Sequence, residues 1–303
     1  MLGMRYGSKE SIELSEDIGY AMAMATHEAG WELAKELGPC ELLESQENRE
    51  KFVESLYFTE ILREEAIKRS ELYRYEEMID SILRYGSRFT NGLSVAPTGT
   101  MSIVSNYMSS GIEPVFDFNG TRNVEIPNSP IKKAFTYYDY ALLDYATDSL
   151  IEKQPDRAEF SQEEIEQEAD HLLKIESLPD FFVSTKDLNV DDHLNILGAI
   201  SKFIDQGISK TVVLPEDYSF EDYKDLWKKA YDLKIKGITV YRPNPEKITA
   251  VLVDKTAQEK IIYEVVGKNG EKITLVGTSN VVFKGEEYSA LNLFDAFKDG
   301  RIS

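Results

Sequence analysis

The residues best equipped for chemistry lie in one short run, Ser94-Val95-Ala96-Pro97-Thr98-Gly99-Thr100-Met101-Ser102. Pro97 fixes φ, and Gly99 leaves the backbone open to the close approach of a ligand. Thr98, Thr100 and Ser102 bring hydroxyl donors beside the free amides of a helix start. Such a turn can hold a phosphate without lysine or arginine. The same residues also cap a helix after a strand with no ligand involved, and local chemistry alone leaves both readings open.

The other constellations are thinner. Glu168-x-x-His171 matches half of a dimetal carboxylate site. The remaining histidines, His27 and His193, have no glutamate three residues before them, and chance supplies one such motif in a chain with 54 acidic residues. His193 follows Asp191-Asp192 in a helical first turn and reads as a solvated side chain. Glu113 reads equally as an acid or base and as a buried structural carboxylate. Tyr137, Tyr138 and Tyr140 read as packing aromatics rather than a radical relay. Cys40 is the one cysteine. It excludes an intrachain disulfide, a cysteine metal cluster and dithiol chemistry within the chain, and it fits a reducing cytoplasm. It sits in Gly38-Pro39-Cys40-Glu41, at a helix end.

The elements that must position these residues follow from patterning. The chain has 303 residues, 42% of them hydrophobic, enough for a globular core. A net charge of −20, spread along the chain, disfavours a nucleic-acid polymer as partner. The acidic runs Glu41–Glu50 and Glu163–Glu168, and the charged segment Asp156–Glu168, read as solvated surface. No stretch approaches the ~20 apolar residues of a membrane helix, so no membrane partner is expected. The Met1 end lacks a basic-then-apolar signal pattern, and the expected location is the cytoplasm.

Ser8 is the expected N-cap of a helix whose stripe is Ile12, Ile18, Met22, Ala25, Ala29 and Leu33, stopped by Gly38-Pro39. Helical patterns continue to about Leu62 and again from Tyr75 to Leu83. Arg88–Ala96 reads as extended, and Ser109–Pro130 as loop-rich. Asp191–Phe203 reads as a helix capped by Asp191 or Asp192, with Leu194, Leu197, Ile200, Phe203 and Ile204 inward. Ile208–Leu214 and Gly237–Tyr241 read as strands around a helix opened by Ser219 or Glu221. Strand, helix, strand implies parallel strands and an α/β architecture. Pro243-Asn244-Pro245 is a break. Beyond it, Ile261–Val266 and Lys272–Val276 flank Asn269-Gly270, a hairpin signal, and a last helix spans Ala290–Lys298. The expected boundary is near residue 245, with residues 246–303 a small hairpin-plus-helix appendage.

Four segments, in order, resemble the class II, adenosylcobalamin-dependent ribonucleotide reductases. Ser94–Phe116, with Ala-Pro-Thr-Gly-Thr and Ser-Ser-Gly-Ile-Glu-Pro-Val-Phe, is similar to the family's substrate-phosphate loop. Leu2–Ser8 is similar to a helix entry in the second half of its barrel. Asp205–Thr211 with Leu214-Pro215 is similar to its Ile-Ser-Lys-Thr strand, and Lys236–Arg242 to its last barrel strand. The Gly-Ile-Glu-Pro and Gly-Ile-Thr-Val-Tyr-Arg wording favours class II over class I.

The resemblance implies the C-terminal half of a ten-stranded α/β reductase barrel, in a split or fragmentary form. It implies that Pro97, Thr98, Gly99, Thr100 and Met101 bind the phosphates of a ribonucleotide, with Ser109–Pro114 beside the same site. The family's radical cysteine, in Asn-x-Cys-x-Glu, its reducing cysteine pair and its effector loops have no counterpart here. The family has no catalytic thiol where Cys40 stands, which implies a structural role for that residue. The expectation is therefore no catalytic residue on this chain, and a partner N-terminal half bearing the radical cysteine. Adenosylcobalamin would be shared with that half, and an external dithiol would be the reductant. Val213 stands where the family usually has Asn, and Pro243-Asn244-Pro245 replaces its polar turn. A non-catalytic, reductase-like nucleotide-binding or interaction protein is the alternative.

Overall fold

Ser8 opens the first helix as its sequence predicts. Its hydroxyl accepts from the Ser11 amide, and α1 runs over Lys9–Leu37 until Gly38, at φ 81°, closes it through a bond to the Ala34 carbonyl. This computed structural model describes residues 2–127, 129–175, 178–215, 217–242, 252–253, 261–266 and 270–302. The chain forms two compact units. One comprises Met1–Gly99, Ser110–Pro114 and Asp180–Arg242, and the other Thr100–Ser109, Val115–Pro179 and Pro243–Ser303.

The expected stripe of α1 is on the wrong face. Ile18, Met22, Ala25, Ala29 and Leu33 are exposed, while Gly19, Tyr20, Ala23, Met24, His27, Gly30 and Ala34 are buried. Both faces carry apolar residues at threes and fours. The glycines decide, because Gly19 and Gly30 let Phe203 and Ser87 come close. After α1 come α2 (Gln46–Val53), a π-helical turn over Tyr57–Leu62, α3 (Arg63–Lys68) and α4 (Leu72–Tyr85). Tyr20, Met24, Phe58, Leu62, Met78, Ile82 and Phe203 form the core they share. A short helix, α5, spans Gly99–Val104.

Within the expected loop of Ser109–Pro130, residues Asn119–Val124 form a strand, β1. It pairs antiparallel with β2 (Lys133–Tyr138), from Asn119 opposite Tyr138 to Val124 opposite Lys133. Asn-Gly-Thr-Arg-Asn-Val is poor in strand formers, and it is the pairing that fixes it. Next come α6 (Tyr140–Lys153), capped by Asp139, and α7 (Gln162–Lys174), opened by a Ser161–Glu164 capping box. Glu168 does not lie on the surface as expected. It is buried and accepts from Ser149 Oγ at 2.8 Å and Lys153 Nζ at 2.6 Å.

Helix α8 spans Val190–Ser201, and its cap is Asn189, not Asp191 or Asp192. Asn189 Oδ1 accepts from the Asp192 amide and Asp192 Oδ2 from the Asn189 amide, both at 3.0 Å, so Asp192 completes the box from inside the helix. The expected inward face holds: Leu194, Leu197, Ile200, Phe203 and Ile204 are buried. Then follow β3 (Thr211–Val213), α9 (Phe220–Asp232) capped by Ser219, and β4 (Thr239–Tyr241). β3 and β4 are parallel, as the strand–helix–strand pattern requires, with Thr211 opposite Thr239 and Val213 opposite Tyr241. The extended segment before Pro97 makes one isolated parallel bridge, Val95 to Ile208, ahead of β3 in the chain. Asp205 holds that approach by accepting from the amides of Gly92 (2.6 Å) and Leu93 (2.9 Å).

Beyond residue 251, β5 (Leu252–Val253) pairs with β1, and β6 (Ile262–Val266) pairs antiparallel with β7 (Lys272–Val276). Gly270 of the expected turn is at φ 78°, whereas Asn269 and the Pro243-Asn244-Pro245 break lie outside the described residues. A second hairpin, β8 (Asn280–Phe283) with β9 (Glu286–Ser289), leads into α10 (Ala290–Lys298). The fold is mixed α/β, and the sheets of the described residues hold two or three strands. No helix among the described residues is long and apolar enough to cross a membrane.

Candidate functional site

Pro97 and Thr98 precede α5, Gly99 is its first residue, and Thr100 and Met101 complete its first turn. All five are exposed. Thr98 has φ 45°, in the left-handed region that a β-branched residue rarely enters. Gly111 meets it there: the Gly111 amide donates to Thr98 Oγ1 at 2.8 Å. Gly111 is itself at φ 58°, and a Cβ on it would lie 2.8 Å from the Ala96 carbonyl oxygen. Only glycine brings these two stretches together. The bond has a chemical consequence: with Oγ1 accepting from Gly111, the Thr98 hydroxyl proton is directed to another acceptor, such as an anion's oxygen.

The segment Ser110–Pro114 is fastened at successive residues. The Tyr6 hydroxyl donates to the Ile112 carbonyl at 2.8 Å. Glu113 Oε2 accepts from Lys210 Nζ at 2.7 Å, and its Oε1 from the Thr211 amide. The Lys210 side chain is wholly buried. Its ammonium also meets the Thr211 carbonyl and, at 2.9 Å, His193 Nδ1. Burial pulls the Lys210 pKa down, and the Glu113 charge opposes that pull. Burial, with the Lys210 charge second, pushes His193 down to about 3. A neutral His193 accepts at Nδ1 and carries its proton on Nε2, which is buried without a partner among the described residues. The Tyr6 hydroxyl, which packs near His193, is pushed well up by burial and then by Glu113 and Asp192.

Of the residues singled out in the sequence, Thr98 and the Ser109–Pro114 segment are thus brought together. Glu113 is the counter-ion of Lys210. His193 is not solvated but fully buried, because α8 starts at Val190 and turns His193 onto the face of Leu194 and Leu197. Lys210 escaped the sequence reading. Its signal was the strand period: Ile208, Lys210 and Val212 share one face, and a lysine between two inward aliphatics calls for a buried counter-charge.

The other candidates lie elsewhere. Cys40 is half-buried, and its amide bonds the Ser87 carbonyl at 2.9 Å. His171 is exposed, and its helix neighbour Glu168 is engaged by Lys153 and Ser149. Tyr137 is buried and stacks on Tyr107 at 5.3 Å between ring centroids, a packing role.

Residues 1–241 match the family model described as "Ribonucleotide reductase, barrel domain". The vitamin B12-dependent ribonucleoside-diphosphate reductase of Thermoplasma acidophilum is 30% identical over 189 residues, covering 59% of this chain and 23% of that protein. The enzyme of that name from Mycobacterium tuberculosis is 30% identical over 151 residues, 49% of this chain and 20% of the relative. The vitamin B12-dependent ribonucleotide reductase of Streptantibioticus cattleyicolor is 25% identical over 184 residues, 55% of this chain and 28% of the relative. The chain spans roughly a quarter of the length of the curated relatives it matches. Among solved structures, the class Id ribonucleotide reductase alpha subunit of Actinobacillus ureae covers 71% of this chain and 38% of its own, at 20% identity and a TM-score of 0.36, a likeness too low to carry an argument. On the match over residues 1–241, the chain belongs to the ribonucleotide reductase barrel-domain family.

Proposed function

We propose that this chain supplies the substrate-phosphate loop of a class II ribonucleotide reductase, which converts ribonucleotides to 2′-deoxyribonucleotides. Pro97, Thr98, Gly99, Thr100 and Met101 hold the phosphates through backbone amides and the threonine hydroxyls. The observation that carries this reading is the Gly111–Thr98 bond, in which the exposed Thr98 Oγ1 accepts and so keeps its own proton for another acceptor, just ahead of α5. The contribution is proximity and orientation of the ribose rather than acid–base chemistry.

The names of the curated relatives support adenosylcobalamin as the cofactor. When bound, it supplies the radical chemistry through homolysis of its cobalt–carbon bond. The thiol that chemistry needs is not Cys40, which is half-buried where the chain leaves α1, so no radical step is assigned to this chain. The radical cysteine and the cysteine pair that reduces the ribose belong to a partner N-terminal half, and an external dithiol regenerates them. Residues 1–245 form the C-terminal half of the barrel, and residues 246–303 are an appendage to it. Because the one-cysteine composition also suits a relative that binds nucleotides without reducing them, the test separates the two.

The chain is co-expressed with a reductase half carrying Asn-x-Cys-x-Glu and assayed for deoxyribonucleotide with adenosylcobalamin and a dithiol. Product formation, with Thr98→Ala and Thr100→Ala raising KM, is the expected result. Nucleotide binding without product in any pairing favours the non-catalytic relative. No product, together with nucleotide binding that ignores both substitutions, removes the phosphate-loop assignment itself.

A further inference from the structure

Lys210 is 1% exposed, and a charge so deep persists only with partners. Its main partner, Glu113, lies two residues after Gly111, the residue whose amide fixes Thr98. The Gly111–Thr98 bond is itself solvent-exposed. One exposed hydrogen bond, worth about 1 kcal/mol, does not by itself hold a threonine in a backbone conformation that costs about as much or more. The firm attachment of this stretch is further along. Glu113 takes two donors from consecutive residues, the Lys210 ammonium on one carboxylate oxygen and the Thr211 amide on the other. Two donors on two oxygens fix the plane of the carboxylate and, with it, the direction of the chain back to Gly111.

We propose that the Glu113–Lys210 ion pair, seated on His193, is a positioning brace that sets the Thr98 hydroxyl for the substrate phosphate. This role rests on the reading of Pro97–Met101 as the phosphate loop. The brace requires a carboxylate specifically. A glutamine at 113 has one acceptor and one donor, so either orientation turns an NH2 group toward the Lys210 ammonium or the Thr211 amide and forfeits one of the two bonds. His193 serves the same end from the other side. Its neutral Nδ1 accepts from the ammonium without adding a second positive charge.

The test uses the full chain with inorganic pyrophosphate as probe, hydrogen exchange at the Gly111 amide, and thermal melting. The variants are Glu113→Gln, Glu113→Gln/Lys210→Met and Thr98→Ala. Glu113→Gln should speed Gly111 exchange and weaken pyrophosphate binding about tenfold, the scale of one lost hydrogen bond. The double variant removes the orphaned charge and should recover melting temperature toward wild type, but neither the Gly111 protection nor the affinity. If it recovers all three, the pair is merely structural and the proposal is overturned. Unchanged Gly111 exchange and affinity in Glu113→Gln overturn it as well, even where Thr98→Ala weakens binding and so upholds the phosphate loop. Should wild type and Thr98→Ala bind pyrophosphate equally, or neither bind it, the phosphate reading falls and the brace loses its role with it.

Discussion

Gly19 of α1 lies against the ring of Phe203, so closely that a Cβ on Gly19 would stand 2.5 Å from Phe203 Cδ2. Phe203 is fully buried in the core shared with Met24, Phe58 and Ile82, and its carbonyl accepts from the Tyr57 hydroxyl at 3.0 Å. The chain segment that follows carries Asp205, which holds the approach to the phosphate loop. The packing of one glycine on one ring thus sets where that approach begins.

Gly19→Ala should destabilise the chain. Helix propensity favours alanine by up to about 1 kcal/mol, but forcing a methyl into a filled core costs about 1–3 kcal/mol. The ring cannot swing away, since it is enclosed on every side. A lower urea midpoint at unchanged slope is the expected result, with partial recovery in Gly19→Ala/Phe203→Leu. An unchanged midpoint would mean that the core yields at no cost.

Two glycines of the candidate loop should differ in their effect on stability. Gly99 has no atom within 4 Å of an added Cβ, and it begins a helix, so Gly99→Ala should leave stability equal or higher by up to about 1 kcal/mol. If a phosphate approaches its backbone, the same methyl should weaken binding of pyrophosphate. At Gly111, a positive φ and the Ala96 carbonyl oppose a side chain, so Gly111→Ala should lose both affinity and about 1–3 kcal/mol of stability. Calorimetric titration beside thermal melts of the two variants separates these effects. Equal behaviour of the two glycines would contradict the distinction.

How much of this was legible in the sequence depends on whether one residue or two distant ones decided the outcome. Ser8, Ser219 and the Leu194–Ile204 stripe act locally, through capping and period, and were readable. The buried face of α1 was not, because Ile18, Met22 and Leu33 make as good a stripe as Tyr20, Met24 and His27 until Phe203 and Ser87 are brought against Gly19 and Gly30. The candidate loop showed its hydroxyls and its Gly99 in the sequence. Its fastening did not show, because Glu113 and Lys210 lie 97 residues apart and Tyr6 and Ile112 lie 106 apart. Pairing over such distances is a property of the fold rather than of any window of sequence.

His27 should make the chain acid-sensitive. It is buried among the rings of Phe52, Tyr57 and Phe58, its Nδ1 without a partner among the described residues. Burial pushes its pKa down to about 4, against a smaller opposing pull from Asp205. The unfolded chain therefore binds a proton near pH 6.5 that the folded chain refuses until about pH 4. Stability attributable to His27 is intact above the unfolded value and falls as pH drops through this window, by ~3 kcal/mol in all. His27→Leu should flatten the decline between those limits, read as the difference between variant and wild-type urea melts at each pH. Parallel curves would place the acid sensitivity elsewhere.

Asp139 should act with the opposite sign. It caps α6 by accepting from the Ala141 amide at 2.9 Å, and its own amide bonds the Phe118 carbonyl at 2.8 Å. Burial raises its pKa from 3.8 to about 6, with the backbone bonds to Ala141 and Leu142 pulling less strongly the other way. The folded chain thus holds a proton that the unfolded chain releases. The stabilising contribution is complete below about pH 4 and is lost as pH rises through about 6, a span of ~3 kcal/mol. Asparagine caps a helix as well as aspartate and carries no charge to bury. Asp139→Asn should therefore match wild type at pH 4 and exceed it at pH 7, with the gap opening between the two. That ordering separates the effect of charge from the loss of a cap, since an Asn that merely capped worse would be less stable than wild type at every pH.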